Sequence, residues 1–231
     1  MSKEIIRVTH ELSASDRQAL KEAYRISYKN STWTETHPEI KQWYDTEEGK
    51  EWCADACDFY MDLVGSKSCE MAVAKDVRGD EIIAALFILN GESFFTCADL
   101  QSRQFMEGIL KKVSAIPEKT VYIGELFVHP NYRGLIGGRA IRKMVLALYA
   151  KMGSYGCQHI VAWTLDRAEN IAMYRKIGLK EIPGVENEKG IDLFRPKVSD
   201  RNQYTKSTKW PAVYLSAGVD QLLSCFLGSP V

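Results

Sequence analysis

Between Tyr122 and Ile141 the chain reads YIGELFVHPNYRGLIGGRAI, and the residue types in this segment suit one kind of chemistry. An apolar strand pattern runs into a turn at His129-Pro130-Asn131, then a glycine-rich stretch, then a helical pattern. Glycines at a helix start let backbone N–H groups close on an anion, and the helix dipole favours negative charge there. Arg133, Arg139, Arg142 and Lys143 add side-chain cations around the same end. The expected ligand is a phosphate or a pyrophosphate. Neither G-x-G-x-x-G nor G-x-x-x-x-G-K-[ST] occurs, which argues against dinucleotide dehydrogenases and P-loop nucleotide hydrolases. Cys53 and Cys57 stand four apart on a helical pattern with no histidine near them in sequence. C-x-x-C is absent, and His10, His37, His129 and His159 are scattered, so neither a cysteine nucleophile nor a metal site is expected.

The elements that must position this segment follow from periodicity and turn residues. Ser15-Asp16-Arg17-Gln18 has capping-box form and opens a helix toward Tyr28. Residues 30–38 read as a loop, and a long helix fits 46–64. Met71 to Lys75 and Ile82 to Leu89 form antiparallel strands around a turn at Val77 to Asp80. A helix fits Leu100 to Val113 and a strand Thr120 to Val128. Ala140, Ile141, Met144, Val145, Leu148, Tyr149 and Met152 recur at helical spacing and give an amphipathic helix from about Gly137 to Met152. His159 to Thr164 is a strand, and Glu169 to Ile177 a short helix stopped by Gly178. Leu179 to Ile182 and Ile191 to Phe194 are candidates for a closing hairpin. This order implies one α/β sheet with helices on both faces. Residues 196–231 continue past that unit as an extension docked through Trp210 to Leu215 and Leu222 to Leu227.

Composition narrows the function classes. Hydrophobic residues make up 45% and charged residues 26% of 231 positions, values of an ordinary globular protein. The longest apolar run, Ile82 to Leu89, falls short of the roughly 18 residues that span a bilayer. The start MSKEIIRVTHE lacks the apolar core of a signal peptide, so a cytoplasmic location, no membrane partner and reduced cysteines are expected. Net charge is zero, but residues 1–115 hold 14 Lys/Arg against 20 Asp/Glu, and residues 116–231 hold 16 against 10. A nucleic-acid partner is not expected without a net basic domain. The asymmetry suits an anionic ligand in the second half and a cationic one met by the first.

ELFVHPNYRG resembles the acetyl-CoA segment of the GCN5-related N-acetyltransferases, the GNAT superfamily, and NIAMYRKIGL resembles that family's tyrosine-helix segment. The resemblance covers about residues 120–184. It implies a mixed, mostly antiparallel α/β sheet flanked by helices over residues 1–195, with acetyl-CoA as co-substrate and no metal. It also implies that Leu126, Phe127 and Val128 present backbone groups to the pantetheine arm. Arg133, Gly134, Leu135, Ile136, Gly137 and Gly138 would hold the pyrophosphate, and Asn170 would lie beside the cofactor. The family's loop reads Arg/Gln-x-x-Gly-x-Gly/Ala. Here Ile136 takes the first glycine position and Gly138 the second, while Gly137 stands between, so either weakened cofactor binding or a loop shifted toward Gly137 is expected.

Acetyl transfer to an amine needs the neutral amine, and a Lys-like amine of pKa about 10.4 must lose a proton first. By the resemblance Glu125 is the candidate base; the alternative is a carboxylate satisfied by an arginine or by backbone donors. Tyr174 matches the tyrosine that protonates the departing thiolate; the alternative is a tyrosine packed between helix and sheet. Trp33, Glu35 and His37 are candidates to line the acceptor site by position. Glu47, Glu51, Asp55, Asp58 and Asp62 recur at helical steps on one face, either as a solvated surface or as an acidic lip for a cationic acceptor. The expected activity is direct acetyl transfer to an amine of a small molecule or peptide. The rivals are another acyl-CoA donor and a degenerate GNAT-like binding module without turnover.

Overall fold

The computed structural model describes residues 6–35, 38–98, 100–154, 156–185, 188–189 and 211–227. In chain order these form β1 (Ile6–Thr9), α1 (Ala14–Lys29), α2 (Thr32–Glu35), α3 (Pro38–Trp43), α4 (Glu47–Gly65), β2 (Cys69–Asp76) and β3 (Ile82–Asn90). Next come α5 (Gly91–Cys97), α6 (Leu100–Lys112), β4 (Thr120–Val128), α7 (Leu135–Ser154), β5 (His159–Leu165) and α8 (Ala168–Lys176). The chain continues with β6 (Lys180–Glu181), β7 (Glu188–Lys189), β8 (Pro211–Gly218) and α9 (Val219–Leu227). The described residues fall into two compact units. The first holds those of Met1–Phe87 and Glu125–Leu148, the second those of Ile88–Gly124, Tyr149–Ser199 and Thr205–Val231. The fold is the mixed, mostly antiparallel α/β sheet with flanking helices that the family resemblance implies.

In the first unit the strand order is β1-β2-β3-β4. β1 pairs antiparallel with β2, Ile6 opposite Asp76. β2 and β3 are buried along nearly their whole lengths, so the chain reads there as a continuous apolar run and not as an alternation. The cap of α1 is Ser13, two residues earlier than the expected Ser15. Ser13 accepts the Asp16 N–H at 3.2 Å, and the Asp16 carboxylate accepts the Ser13 N–H at 3.3 Å. Asp16 is thus the far end of the capping box and not its second residue. The same carboxylate receives the buried Lys75 ammonium at 2.6 Å, which ties α1 to β2. α4 is capped by Thr46 and buries Cys53, Ala56, Cys57, Phe59, Tyr60 and Met61. The stretch expected as a loop contains the single turn α2, and Pro38 opens α3 at the position where proline suits a helix start.

In the second unit β5 pairs parallel with β4 through Thr120–Tyr122, and antiparallel with β8 over seven residue pairs, from His159 with Gly218 to Leu165 with Ala212. β6 and β7 both pair with β8. The closing hairpin expected between 179–182 and 191–194 is therefore replaced for its first half: Lys180 lies opposite Ser216 and Glu181 opposite Leu215. Residues 191–194 lie outside the described residues. β8 comes from the segment read as an extension, and its side chains explain the role: Ala212, Tyr214, Leu215 and Ala217 are buried. α5 was not expected from sequence. Its signal is Asn90, whose side chain accepts the Ser93 N–H at 2.8 Å.

Candidate active site

The strand-turn-helix expected to hold an anion lies within the first unit. β4 keeps its ladder until His129, whose N–H donates to Ile83 O at 2.8 Å. A single 3₁₀ turn follows at Pro130–Tyr132, with the Tyr132 N–H donating to His129 O and the Arg133 N–H to Pro130 O. Tyr132 also fixes the turn from outside by donating its hydroxyl to Glu81. Gly134 then takes φ +92°, a conformation that other residues rarely adopt. α7 begins at Leu135, and its first turn closes with the Gly138 N–H on Gly134 O at 2.9 Å. The amides of Leu135, Ile136 and Gly137 precede any carbonyl a helix could offer them. They form the positive end of the dipole of a 20-residue helix.

Packing explains the displaced glycine. A Cβ on Gly137 would lie 2.8 Å from Val128 Cγ1 and 2.9 Å from Tyr132 O, closer than side-chain atoms approach. The first turn of α7 therefore sits directly against the end of β4, and only glycine permits it. Gly138 is exposed, and a Cβ there would meet nothing within 4 Å. Ile136 is half-buried and Leu135 exposed. The donor set suits a pyrophosphate: consecutive backbone amides with open space above Gly138 and no carboxylate on the turn from Gly134 to Gly138.

Two of the expected side-chain cations, Arg133 and Lys143, meet backbone carbonyls. The Arg133 guanidinium donates to Asn30 O and, at 3.1 Å, to Ser27 O. Those carbonyls end α1, where acceptors go unpaired and the dipole is negative. Lys143 donates to Ile6 O at 3.0 Å and fastens α7 to β1. Arg133 thus locks the glycine turn to α1, a role that its neighbourhood in sequence did not announce.

Glu125 is half-buried on β4, and three donors meet its carboxylate. Tyr28 donates to Oε2 at 2.7 Å and Tyr24 to the same oxygen at 3.1 Å, while the Leu126 N–H donates to Oε1 at 3.0 Å. Tyr24 and Tyr28 stack at 4.6 Å, and Phe127 meets the Tyr24 ring edge-on at 5.5 Å. Burial, reinforced by the Glu125 charge, pushes both phenols well above their ordinary range, so they remain donors at any working pH. The two tyrosines were missed from sequence. Their signal is the i, i+4 spacing that places both on one face of α1. Cys53 and Cys57 are buried on α4, and burial raises both thiols, opposite to the shift a nucleophile needs.

The other expected residues are placed as follows. Leu126 and Val128 are half-buried and Phe127 buried on β4. Asn170 and Tyr174 belong to the second unit, on α8, the first half-buried and the second buried. Glu35 is exposed at the end of α2. The Trp33 side chain and His37 lie outside the described residues. Within the acidic stripe of α4, Asp58 pairs with Lys21 and Glu47 with Lys50, both at 2.6 Å. Among the described residues no cluster of His, Cys, Asp and Glu could hold a metal ion, and no helix is long and apolar enough to cross a membrane.

Comparison with known proteins gives the family and the fold. The model of the Acetyltransferase (GNAT) family matches residues 18–179. Solved structures share the fold at low identity. One is yncA from Salmonella typhimurium with its cofactor acetyl-CoA, at 13% identity and TM-score 0.55, covering 94% of this chain and 96% of that one. Another is aminoglycoside 6'-acetyltransferase type Ii, at 13% identity and TM-score 0.53, covering 94% and 97%. A third is a spermidine N-acetyltransferase chimera of the Vibrio cholerae SpeG protein and hSSAT, at 9% identity and TM-score 0.53, covering 95% and 99%. No curated protein sequence matches the chain. The chain belongs to the GNAT family.

Proposed function

We propose that the protein is an N-acetyltransferase that moves an acetyl group from acetyl-CoA to the amine of a small molecule or peptide by direct transfer. The observation that carries the reading is the junction of β4 and α7, with Glu125 held just ahead of the backbone at Leu126–Val128 and the amides of Leu135–Gly137 at the open end of α7. In this reading the α7 amides hold the pyrophosphate and the β4 backbone the pantetheine arm; the family resemblance assigns Asn170 to the cofactor. Acetyl-CoA supplies the acetyl group as a thioester. Glu125 takes the proton that the amine must lose, because only the neutral amine has a lone pair to attack with. Tyr174 gives its hydroxyl proton to the departing sulfur, whose conjugate acid has a pKa of about 8.5.

Structures sharing the fold include enzymes named for aminoglycoside and spermidine acceptors, so cationic amines lead the acceptor class, with Trp33, Glu35 and His37 as candidates to line its site. Thiol release from acetyl-CoA, measured across polyamines, aminoglycosides and lysine peptides, tests the reading. Amine-dependent release that Glu125→Gln removes is the expected result. Acetyl-CoA bound without release for any amine would favour a CoA-holding module, which the engagement of Arg133 by α1 would then suit.

A further inference from the structure

The nest around Glu125 carries more than a base needs. A carboxylate that merely accepts a proton gains nothing from two phenols on one oxygen, yet Tyr24 and Tyr28 come from the same face of α1 and converge on Oε2. Both rings are fixed, by their mutual stacking, by Phe127 against Tyr24 and by Trp52 at 6.5 Å from Tyr28. We propose that Tyr24 and Tyr28 are positioning residues that hold the Glu125 side chain in one orientation and set the pH range over which it can act as a base. This inference rests on the reading of Glu125 as the base.

The physics is differential. A hydrogen bond donated to the carboxylate stabilises its charged form, and a protonated carboxyl would forfeit part of each bond. Both phenols are held neutral by burial and by the Glu125 charge, so neither competes as an acid. The groups of α4 that act most on the phenols or feel the Glu125 charge are Cys53, Cys57 and Tyr60, while its Asp and Glu side chains other than Asp58 are not among the main influences. Cys57 feels the Glu125 charge and is raised mainly by burial, so it stays a neutral thiol, and Tyr60 acts on both phenols. Lys21 and Asp58 lie beside Cys57 as an ion pair and offset each other. The tuning is therefore assigned to the two phenols that touch the carboxylate.

The arrangement also links the base to the glycine turn. α1 carries both tyrosines, and its last carbonyls receive Arg133 from the turn before α7. One helix thus holds Glu125 through its last two turns and the glycine turn through its final carbonyls.

The test is a titration of the Glu125 side-chain carboxyl by carbon NMR, with the resonance assigned through its loss in Glu125→Gln. The midpoint should rise by roughly one pH unit in Tyr28→Phe, given the strength of bonds to charged acceptors, and by less in Tyr24→Phe, whose bond is longer. Replacing Tyr28 by a ring-fluorinated tyrosine, a stronger donor of nearly the same shape, should move the midpoint down. This second variant keeps the test open should Tyr28→Phe fold poorly, and a purely structural tyrosine would not reverse the sign. Unchanged midpoints would overturn the proposal. The acid limb of the transfer rate should follow the midpoint. A midpoint that moves while the acid limb stays would leave the tuning intact and remove Glu125 as the base.

Discussion

Glu125 and the first turn of α7 lie close in sequence and stand in opposite electrostatic conditions. The carboxylate is met by three donors from α1 and its own strand. The amides of Leu135–Gly137 point out of a helix end with no carbonyl ahead of them. The carboxylate is satisfied by the protein itself, and in the proposed function the helix end is completed by an anion. The difference teaches how the β4–α7 junction divides its work. In the proposed function, reactivity is set at Glu125 by fixed dipoles inside the protein, and affinity at the open start of α7 by backbone geometry. Arg133 belongs to the first kind of work, since its guanidinium is taken up by α1.

Variants that remove a reacting group should have the largest effects. Glu125→Gln keeps the shape and an acceptor oxygen but cannot take a proton, so kcat at neutral pH should fall roughly 10²–10⁴-fold. Acetyl-CoA affinity should be nearly unchanged, and a loss of affinity in place of rate would merge the two regions that the comparison separates. Tyr174→Phe should also lower kcat, by roughly 10²-fold or more, at a constant Kd for acetyl-CoA. If Tyr174 serves only packing on α8, the melting temperature will drop while turnover stays near that of the parent.

Gly137→Ala probes the open end. Its new Cβ meets Val128 and the Tyr132 carbonyl at distances no side chain tolerates, and overpacking of this kind costs about 1–3 kcal/mol. Stability should fall by that amount and acetyl-CoA affinity by about tenfold as the first turn lifts. Gly138→Ala, where a Cβ meets nothing, is the matched control and should change neither. Both variants behaving alike would show that the packing of α7 on β4 does not shape the anion site.

Smaller effects follow. Arg133→Ala removes two donors from the end of α1 and should cost about 1 kcal/mol of stability by thermal unfolding, with acetyl-CoA affinity moving less than threefold. A large loss of affinity would return the guanidinium to the pyrophosphate. Ile136→Gly should weaken α7 by about 0.5–1 kcal/mol and bind acetyl-CoA slightly less well, since the glycine that packing demands is already at Gly137.

Much of this arrangement was legible in the sequence, for physical reasons that differ by residue. Thr120–Val128 and the helix after it stand out through period and glycines, and the displaced glycine could be located although its cause, the Val128 and Tyr132 contacts, could not. Glu125 was singled out by its place on the motif strand together with the family resemblance. Its partners were hidden because Tyr24 and Tyr28 are 101 and 97 residues away, and no local pattern says which carboxylate a helical tyrosine pair will meet. The contacts of Arg133 were hidden in the same way, because the carbonyls of Ser27 and Asn30 are 106 and 103 residues away. The pairing of β8 with β5 and β6 was equally illegible, since long-range strand partners are chosen by the whole sheet.

The central claim is that the open start of α7 holds the pyrophosphate of acetyl-CoA. Calorimetric titration with acetyl-CoA and with acetyl-pantetheine, which keeps the thioester and lacks the pyrophosphate, tests it most directly. Charge-assisted bonds are worth roughly 1.5–3 kcal/mol each, so acetyl-CoA should bind at least about tenfold more tightly, with the advantage reduced in Gly137→Ala and kept in Gly138→Ala. Equal affinity for the two compounds would contradict the account.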